Sequence, residues 1–298
     1  MPEKAKMNNS SIKIFDRHAV RRHRERAVDG FDSFSFLFRE TAERLVDRLF
    51  DIRREFPLTL DLGSYGGLVA DILAGRDSIQ SIVQCDLSEK LVRGASGLRI
   101  VGDEEVQPFA PATFDLVISS ASFHWINDLP GTLVQALRSL RPDGLLLVNF
   151  FGGETLKELK RSLLEVESEI KGGVSPRVSP FTDVRDAGSL LQRTGFALPV
   201  ADIETVTVSY ESPQKLFHDL RGMGEVNSVI GRQKTFTSRQ ILLSAFKRYK
   251  EIYEDQLGRI PATFEIITLT GWAPAPNQQK AAKRGSGQIL LKEEMKRL

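Results

Sequence analysis

Between Leu58 and Phe150 the chain repeats one unit, a short apolar run rich in β-formers followed by a segment with helical spacing. The runs are 58–62, 79–85, 98–101, 114–119 and 145–150, and the segments between them include 68–73, 89–95 and 129–140. Strands buried on both faces read as nearly continuous apolar runs, and joining two of them in parallel takes a crossover, usually a helix. The rhythm therefore predicts an α/β fold with a mostly parallel sheet covered on both faces.

The flanks read differently. Residues 14–26 and 34–50 have helical patterns, and 1–13 is polar, with no apolar spacing. After the fifth run, 154–170 predicts a helix closed by Gly172 and Gly173, and 184–194 predicts another that stops at Gly195. Ile203–Tyr210 alternates like a strand with one exposed face, and 264–270 is a late second strand. Between them lies helical sequence broken by Gly222-Met223-Gly224. The expected organisation is a disordered N-terminus (1–13), an N-terminal helical segment (14–56), a core (57–210), a helical lid insertion (211–260), a last core strand (261–272) and a flexible basic tail (273–298).

Composition removes several function classes. A single cysteine, Cys85, gives no intrachain disulfide framework, and no apolar run reaches the ~18 residues of a membrane span. The net charge of +2 hides basic ends, with eight Lys/Arg against three acids in 1–26 and six against two in 278–298. No aromatic-interleaved basic stretch accompanies them, so no nucleic-acid partner is expected. His18, His23, His124 and His218 show no paired ligand spacing and one thiol makes no cage, so no metal is expected. Neither an esterase G-x-S-x-G nor a P-loop is present.

In an open parallel sheet, ligands settle beyond the carboxyl ends of the strands. The first run ends in D-L-G-S-Y-G-G at 61–67. There Gly63, Gly66 and Gly67 let the backbone approach a ligand, and the following helix start offers free N–H groups; a plain turn accounts for the stretch equally well. The spacing differs from the dinucleotide G-x-G-x-x-G, which disfavours NAD. Asp86, followed by Leu87, ends the second run, where a carboxylate can accept from both ribose hydroxyls or cap the next helix, a task Ser88 could equally perform. Asp103 and Glu104 follow the third run and could accept from an exocyclic adenine amine. Ser119, Ser120, His124 and Trp125 stand at the mouth of the fourth, whose Asp115 begins the strand and is structural. His124 and Asp128, four apart, are the candidate catalytic acid/base pair if their segment is helical; a packed histidine and a helix cap are the alternative.

Asp61–Gly63, Asp86, F-D-L-V-I-S-S (114–120) and R-P-D-G-L-L-L (141–147) together resemble the class I S-adenosylmethionine-dependent methyltransferases. Several stretches are similar, more narrowly, to the methyltransferase-like assembly factors of respiratory complex I, the mitochondrial arginine hydroxylases and their bacterial relatives. They are I-F-D-R (14–17), F-D-I-R-R-E-F-P-L-T-L-D-L-G (50–63), H-W-I-N-D-L-P-G (124–131), F-G-G-E-T-L-K-E-L (151–159), S-P-F-T-D-V (179–184), D-L-R-G-M-G-E-V-N (219–227) and P-A-T-F-E-I-I (261–267). The resemblance implies a Rossmann-like seven-stranded sheet of order 3-2-1-4-5-7-6 with an antiparallel last strand. It implies S-adenosyl-L-methionine over Gly63, Asp86 at the ribose and the 103–104 loop near the adenine. The cofactor set is then Asp61, Gly63, Gly66, Gly67, Asp86, Leu87, Asp103, Glu104 and Ser119.

For the mitochondrial members the implied reaction is hydroxylation of an arginine in an iron–sulfur subunit of complex I, so the expected partner is a protein substrate. Two other readings stand beside it, a methyltransferase acting on a small molecule or carrier-bound acyl chain, and a non-catalytic assembly chaperone. One departure bears on all three. Relatives carry D-L-G-C-G-x-G, and here Tyr65 takes the middle glycine's place, where a side chain can crowd the methionine end and where a left-handed backbone would cost ~1–3 kcal/mol of strain, unless Gly66 absorbs the turn instead. With I-F-D-R starting at Ile14, the expectation is a bacterial cytoplasmic protein without a cleaved presequence.

Overall fold

A computed structural model describes residues 13–279 and 285–286. The expected N-terminal disorder (all but Lys13) and most of the expected flexible tail lie outside the described residues.

Seven strands form one sheet: β1 (Leu58–Leu62), β2 (Ser81–Asp86), β3 (Leu98–Val101), β4 (Phe114–Ser120), β5 (Leu140–Phe151), β6 (Ala197–Tyr210) and β7 (Ile260–Trp272). Their order is β3-β2-β1-β4-β5-β7-β6. The first five run parallel, and β7 lies antiparallel to both β5 and β6. Strand order reverses between β1 and β4, so the two strands' carboxyl ends flank the crevice where a ligand belongs.

Alternation along the strands sorts the core into two layers. Leu116 and Ile118 of β4, with Leu145 and Leu147 of β5, face Ala42, Leu45, Val46 and Leu49 of α2 (Phe36–Phe50) and Val69 and Leu73 of α3 (Leu68–Leu73). Val117, Leu146 and Val148 face the other way, onto Leu133 and Ala136 of α5 (Leu129–Ser139) and Ala187 and Leu191 of α7 (Val184–Arg193). A third cluster lies beyond the carboxyl ends, where Leu159, Leu163 and Val166 of α6 (Lys157–Lys171) meet Phe264 and Ile266 of β7. Leu216 of α8 (Pro213–Gly222) and Ile241, Ala245 and Tyr249 of α9 (Arg239–Tyr253) close over them. These two helices, called the lid below, lie between β6 and β7 in the chain.

Two further helices frame the crevice. Ser88 caps α4 (Glu89–Gly94), its side chain accepting from the Leu91 amide. Asp16 caps α1 (Arg17–Ala27) by accepting from Ala19, and Arg24 of α1 reaches Asp86 at the end of β2 and Glu104 beyond β3. Asp115 is structural, as expected, accepting from the Leu58 amide (2.9 Å) and pairing with Arg141 (2.8 Å). Among the described residues no helix is long and apolar enough to cross a membrane.

Candidate active site

The β1–α3 turn winds through left-handed conformations at Gly63 (φ 78°), Tyr65 (φ 47°), Gly66 (φ 79°) and Gly67 (φ 99°). Gly66 therefore does not spare Tyr65 the left-handed conformation. A Cβ on Gly63 would lie 2.3 Å from Ser122 Oγ and 2.5 Å from its Cβ, so that position needs glycine for space as well as for φ, whereas at Gly67, where the near atom is the end of the Gln84 side chain, φ is the reason. The side chain nearest above Gly63 is thus Ser122, not Tyr65. The Tyr65 ring turns aside, 4.4 Å from Phe38 and 5.4 Å from Phe31 between centroids, and its hydroxyl donates to Glu225 Oε1 (2.9 Å).

Along the strand ends the carboxylates differ sharply in their partners. Asp61 is fully buried and neither of its carboxylate oxygens has a hydrogen-bond partner. Burial, aided by the nearby charge of Asp86, pushes its carboxyl well above the usual range. Ser64 Oγ and Ser119 Oγ are likewise buried without partners. Asp86 accepts from the Tyr65 amide (3.1 Å) and the Ser88 amide (2.8 Å), and Arg24 Nη1 stands 3.5 Å away. Leu87 is half-buried and packs against Phe15, Val20, Trp125 and Val229.

Arg24 is the side chain that sequence reasoning missed. It comes from α1 and is completely buried, with Nη1 donating to Glu104 Oε1 (3.1 Å) and Nη2 to Ser122 Oγ (2.9 Å). Its guanidinium carbon lies 4.6 Å above the Tyr65 ring. Two turns earlier, Arg17 pairs with Asp103 (2.7 Å) and with Glu104. Burial alone would raise the Glu104 carboxyl, but Arg17 and Arg24 outweigh it and hold the group down at about 2. The signal was faint: within R-H-A-V-R-R-H-R-E-R-A, Val20, Arg24 and Ala27 fall on one helix face, so one arginine of a basic run occupies the apolar stripe.

His124 and Asp128 do not pair. His124 sits on a single 3₁₀ turn (Phe123–Trp125), whereas Asp128 caps α5 and accepts from the Gly131 amide (2.9 Å). The partner of His124 is Glu225, another residue sequence reasoning gave no role, at 2.9 Å from Nε2. Trp125 Nε1 donates to the same carboxylate (3.0 Å). Burial opposes ionisation of Glu225, but His124, Arg24 and Trp125 together keep its carboxyl below the usual range. Ser120 hydrogen-bonds Asn149 (3.0 Å) instead of facing the crevice freely.

Beside this group lies a cavity of about 360 Å³ between the sheet ends and the lid. Phe151, Leu159, Phe181, Phe217 and Phe264 wall it, and Glu225 is the only carboxylate of its lining. Among the described residues no cluster of His, Cys, Asp or Glu could hold a metal ion.

An adenosyl sulfonium fits these residues in chemistry. The unpartnered Asp61, Ser64 and Ser119 suit its amino-acid end, and Asp86 and Glu104 are acceptors for hydroxyls and an amine. In this conformation the second pair is held by Arg24.

Residues 60–148 match the model of a methyltransferase domain family. The fold also matches the YcgJ protein from Bacillus subtilis, with a TM-score of 0.55 at 14% identity over 78% of this chain and 98% of that one. The relatives match far more of the sequence. The mitochondrial arginine hydroxylase NDUFAF5 of Danio rerio is 40% identical, covering 95% of this chain and 89% of its own length. The same protein of Homo sapiens is 40% identical over 95% and 84%. A malonyl-[acyl-carrier protein] O-methyltransferase of Gallionella capsiferriformans is 30% identical over 88% and 93%. With α1, the glycine turn and the lid all inside a 40% match, the chain belongs to the methyltransferase-fold arginine-hydroxylase family, within the class I S-adenosylmethionine-dependent methyltransferases.

Proposed function

We propose that this enzyme hydroxylates an arginine side chain of a protein substrate, an iron–sulfur subunit of complex I, in a bacterial cytoplasm. The cavity beneath the lid supports the reading best. Its apolar wall suits the methylene stem of an arginine, and its one carboxylate, Glu225, is held ionised where a guanidinium would end. The cavity's walls come mainly from 151–181 and 217–264, outside the 60–148 span of the general methyltransferase domain, and Phe151, Leu159, Phe181, Glu225 and Phe264 fall within the stretches similar to the arginine hydroxylases. Glu225 would receive the guanidinium, and the His124 and Trp125 donors would orient its carboxylate. We assign S-adenosyl-L-methionine to the crevice above Gly63, where its sulfonium would supply a methyl electrophile; the oxygen atom gained by arginine would come from an external oxidant such as dioxygen, its second oxygen atom leaving as water with two electrons and two protons from a reductant.

A second reading rests on Arg221, which lines the same cavity, is exposed, and forms no ion pair among the described residues. A carboxylate on a carrier-bound acyl chain could pair with it, as methyl transfer to a malonyl group would require. Mass spectrometry separates the two. Subunits purified from cells with the protein, compared with cells lacking it, should gain one oxygen atom on an arginine. A methyl group gained on a malonyl-carrier substrate, with arginine masses unchanged, would replace the first reading by the second.

A further inference from the structure

In the structure as it stands, the adenosine half of the crevice is filled from within. Arg24 reaches the two carboxylates best placed for the ribose and the adenine amine, and Arg17 takes Asp103 and the rest of Glu104. Ser122, tied to Glu104 (2.7 Å), stands directly over Gly63. No bound nucleoside can share Asp86 and Glu104 with a guanidinium already seated between them.

The seating is weaker than its burial suggests. Arg24 Nε has no hydrogen-bond partner, and the 3.5 Å contact to Asp86 is looser than the ~2.7–2.9 Å of a strong charge-assisted bond. A buried ion pair gains little over well-made alternatives, because desolvation offsets most of the attraction. Beside Arg24, α1 buries the small side chains Ala19, Val20 and Ala27, and α1 and the residues leading into it also make side-chain contacts with the crevice mouth and the segment between α8 and α9. Phe15 meets Trp125 edge-on, Asp16 joins Arg232 (3.3 Å), and His23 Nδ1 contacts Ser228 Oγ (3.0 Å). Those partners are lid-side or crevice-side residues, and His23 also lines the cavity, so α1 is a wall common to both chambers.

We propose that α1 is a displaceable latch: Arg24 occupies the Asp86–Glu104 pair when the cofactor is away, and the adenosyl group gains access only as α1 withdraws. A cationic ligand suits this exchange, since it restores part of the positive charge that leaves with Arg24. Withdrawal also removes His23 from the cavity wall, which couples cofactor binding to opening of the substrate chamber. The inference rests on the assignment of S-adenosyl-L-methionine to this crevice.

Titration calorimetry with S-adenosyl-L-methionine tests it on the full chain and two variants. Arg24→Gln removes the competitor and should tighten binding about tenfold or more, because a closed state lowers apparent affinity by the fraction of open molecules. Asp16→Ala touches neither carboxylate, loosens the cap of α1, and should tighten binding roughly fivefold. Hydrogen exchange on the unaltered protein gives a measurement that no folding defect can blur: saturating ligand should speed exchange in 17–27. Equal affinities in all three proteins, or slower exchange in 17–27 on binding, would overturn the latch while keeping the cofactor. Absence of heat in all three would overturn the cofactor assignment itself.

Discussion

A carboxylate buried without a donor holds its proton more tightly, and Asp61 is in that position. Because its pKa in the folded chain is raised, the folded state binds a proton that the unfolded chain releases. Stability is therefore lost as pH climbs from the ordinary aspartate range towards the raised value. Asp61→Asn keeps the shape and removes the ionisation. It should stabilise the ligand-free protein at pH 7 by on the order of 1 kcal/mol, and flatten that part of the stability–pH curve. Urea titrations between pH 4 and about 8 measure both effects; an unstable Asn variant would mean that the carboxylate has a partner in solution. Tyr65 raises a related point. The glycine it replaces left its positive φ as one of two possibilities, with Gly66 as the other, and the direction of its ring was not legible at all, because only the folded chain brings Phe38 and Glu225 to it.

Elements were legible where burial on both faces left no ambiguity. The observed β1, β3 and α3 coincide with the runs at 58–62, 98–101 and 68–73. The edges were harder. β5 starts at Leu140, five residues before its apolar run, because Leu140 pairs with Phe114 across a register shift that the turn-like R-P-D-G disguises. β6 begins at Ala197, where Leu198 at φ 48° and Pro199 look like a loop and the ladder is irregular up to Val200. Glu225 and Arg24 were obscured for opposite reasons, one lying in a glycine-bounded stretch and the other in a basic run. The lid offers its own test. Tyr249 of α9 is buried and its hydroxyl donates to the Pro261 carbonyl of β7 (2.7 Å). Tyr249→Phe should cost ~1 kcal/mol, and Tyr249→Ala ~3–5 kcal/mol through the cavity it leaves. Chemical denaturation reads both, and a Phe variant as weak as the Ala variant would show that the bond, not the packing, holds the lid.

At the scale of the whole molecule, Arg17 and Arg24 tie α1 to the carboxylates at the end of β2 and beyond β3 in one charge network centred on Glu104. Its depressed pKa means that the stability it contributes is present above the ordinary glutamate value and disappears as pH falls towards about 2. Glu104→Gln should lower stability at pH 7 by ~3–5 kcal/mol, the cost of leaving buried partners unpaired. The gap between variant and parent should then close as acid protonates Glu104 in the parent, a convergence that urea midpoints at pH 7, 4 and about 2 would follow. A gap that stayed constant with pH would remove Glu104 from the network.

The position of β7 has a consequence for how the chain is made. The ladder that joins β5 to β6 is supplied by the last described strand, Ile260–Trp272. During synthesis, β5 and β6 emerge from the ribosome with that gap open, and bare strand edges invite pairing with other nascent chains. A protein proposed to service another complex during its biogenesis thus passes through a vulnerable interval of its own, closed only when β7 slides into place.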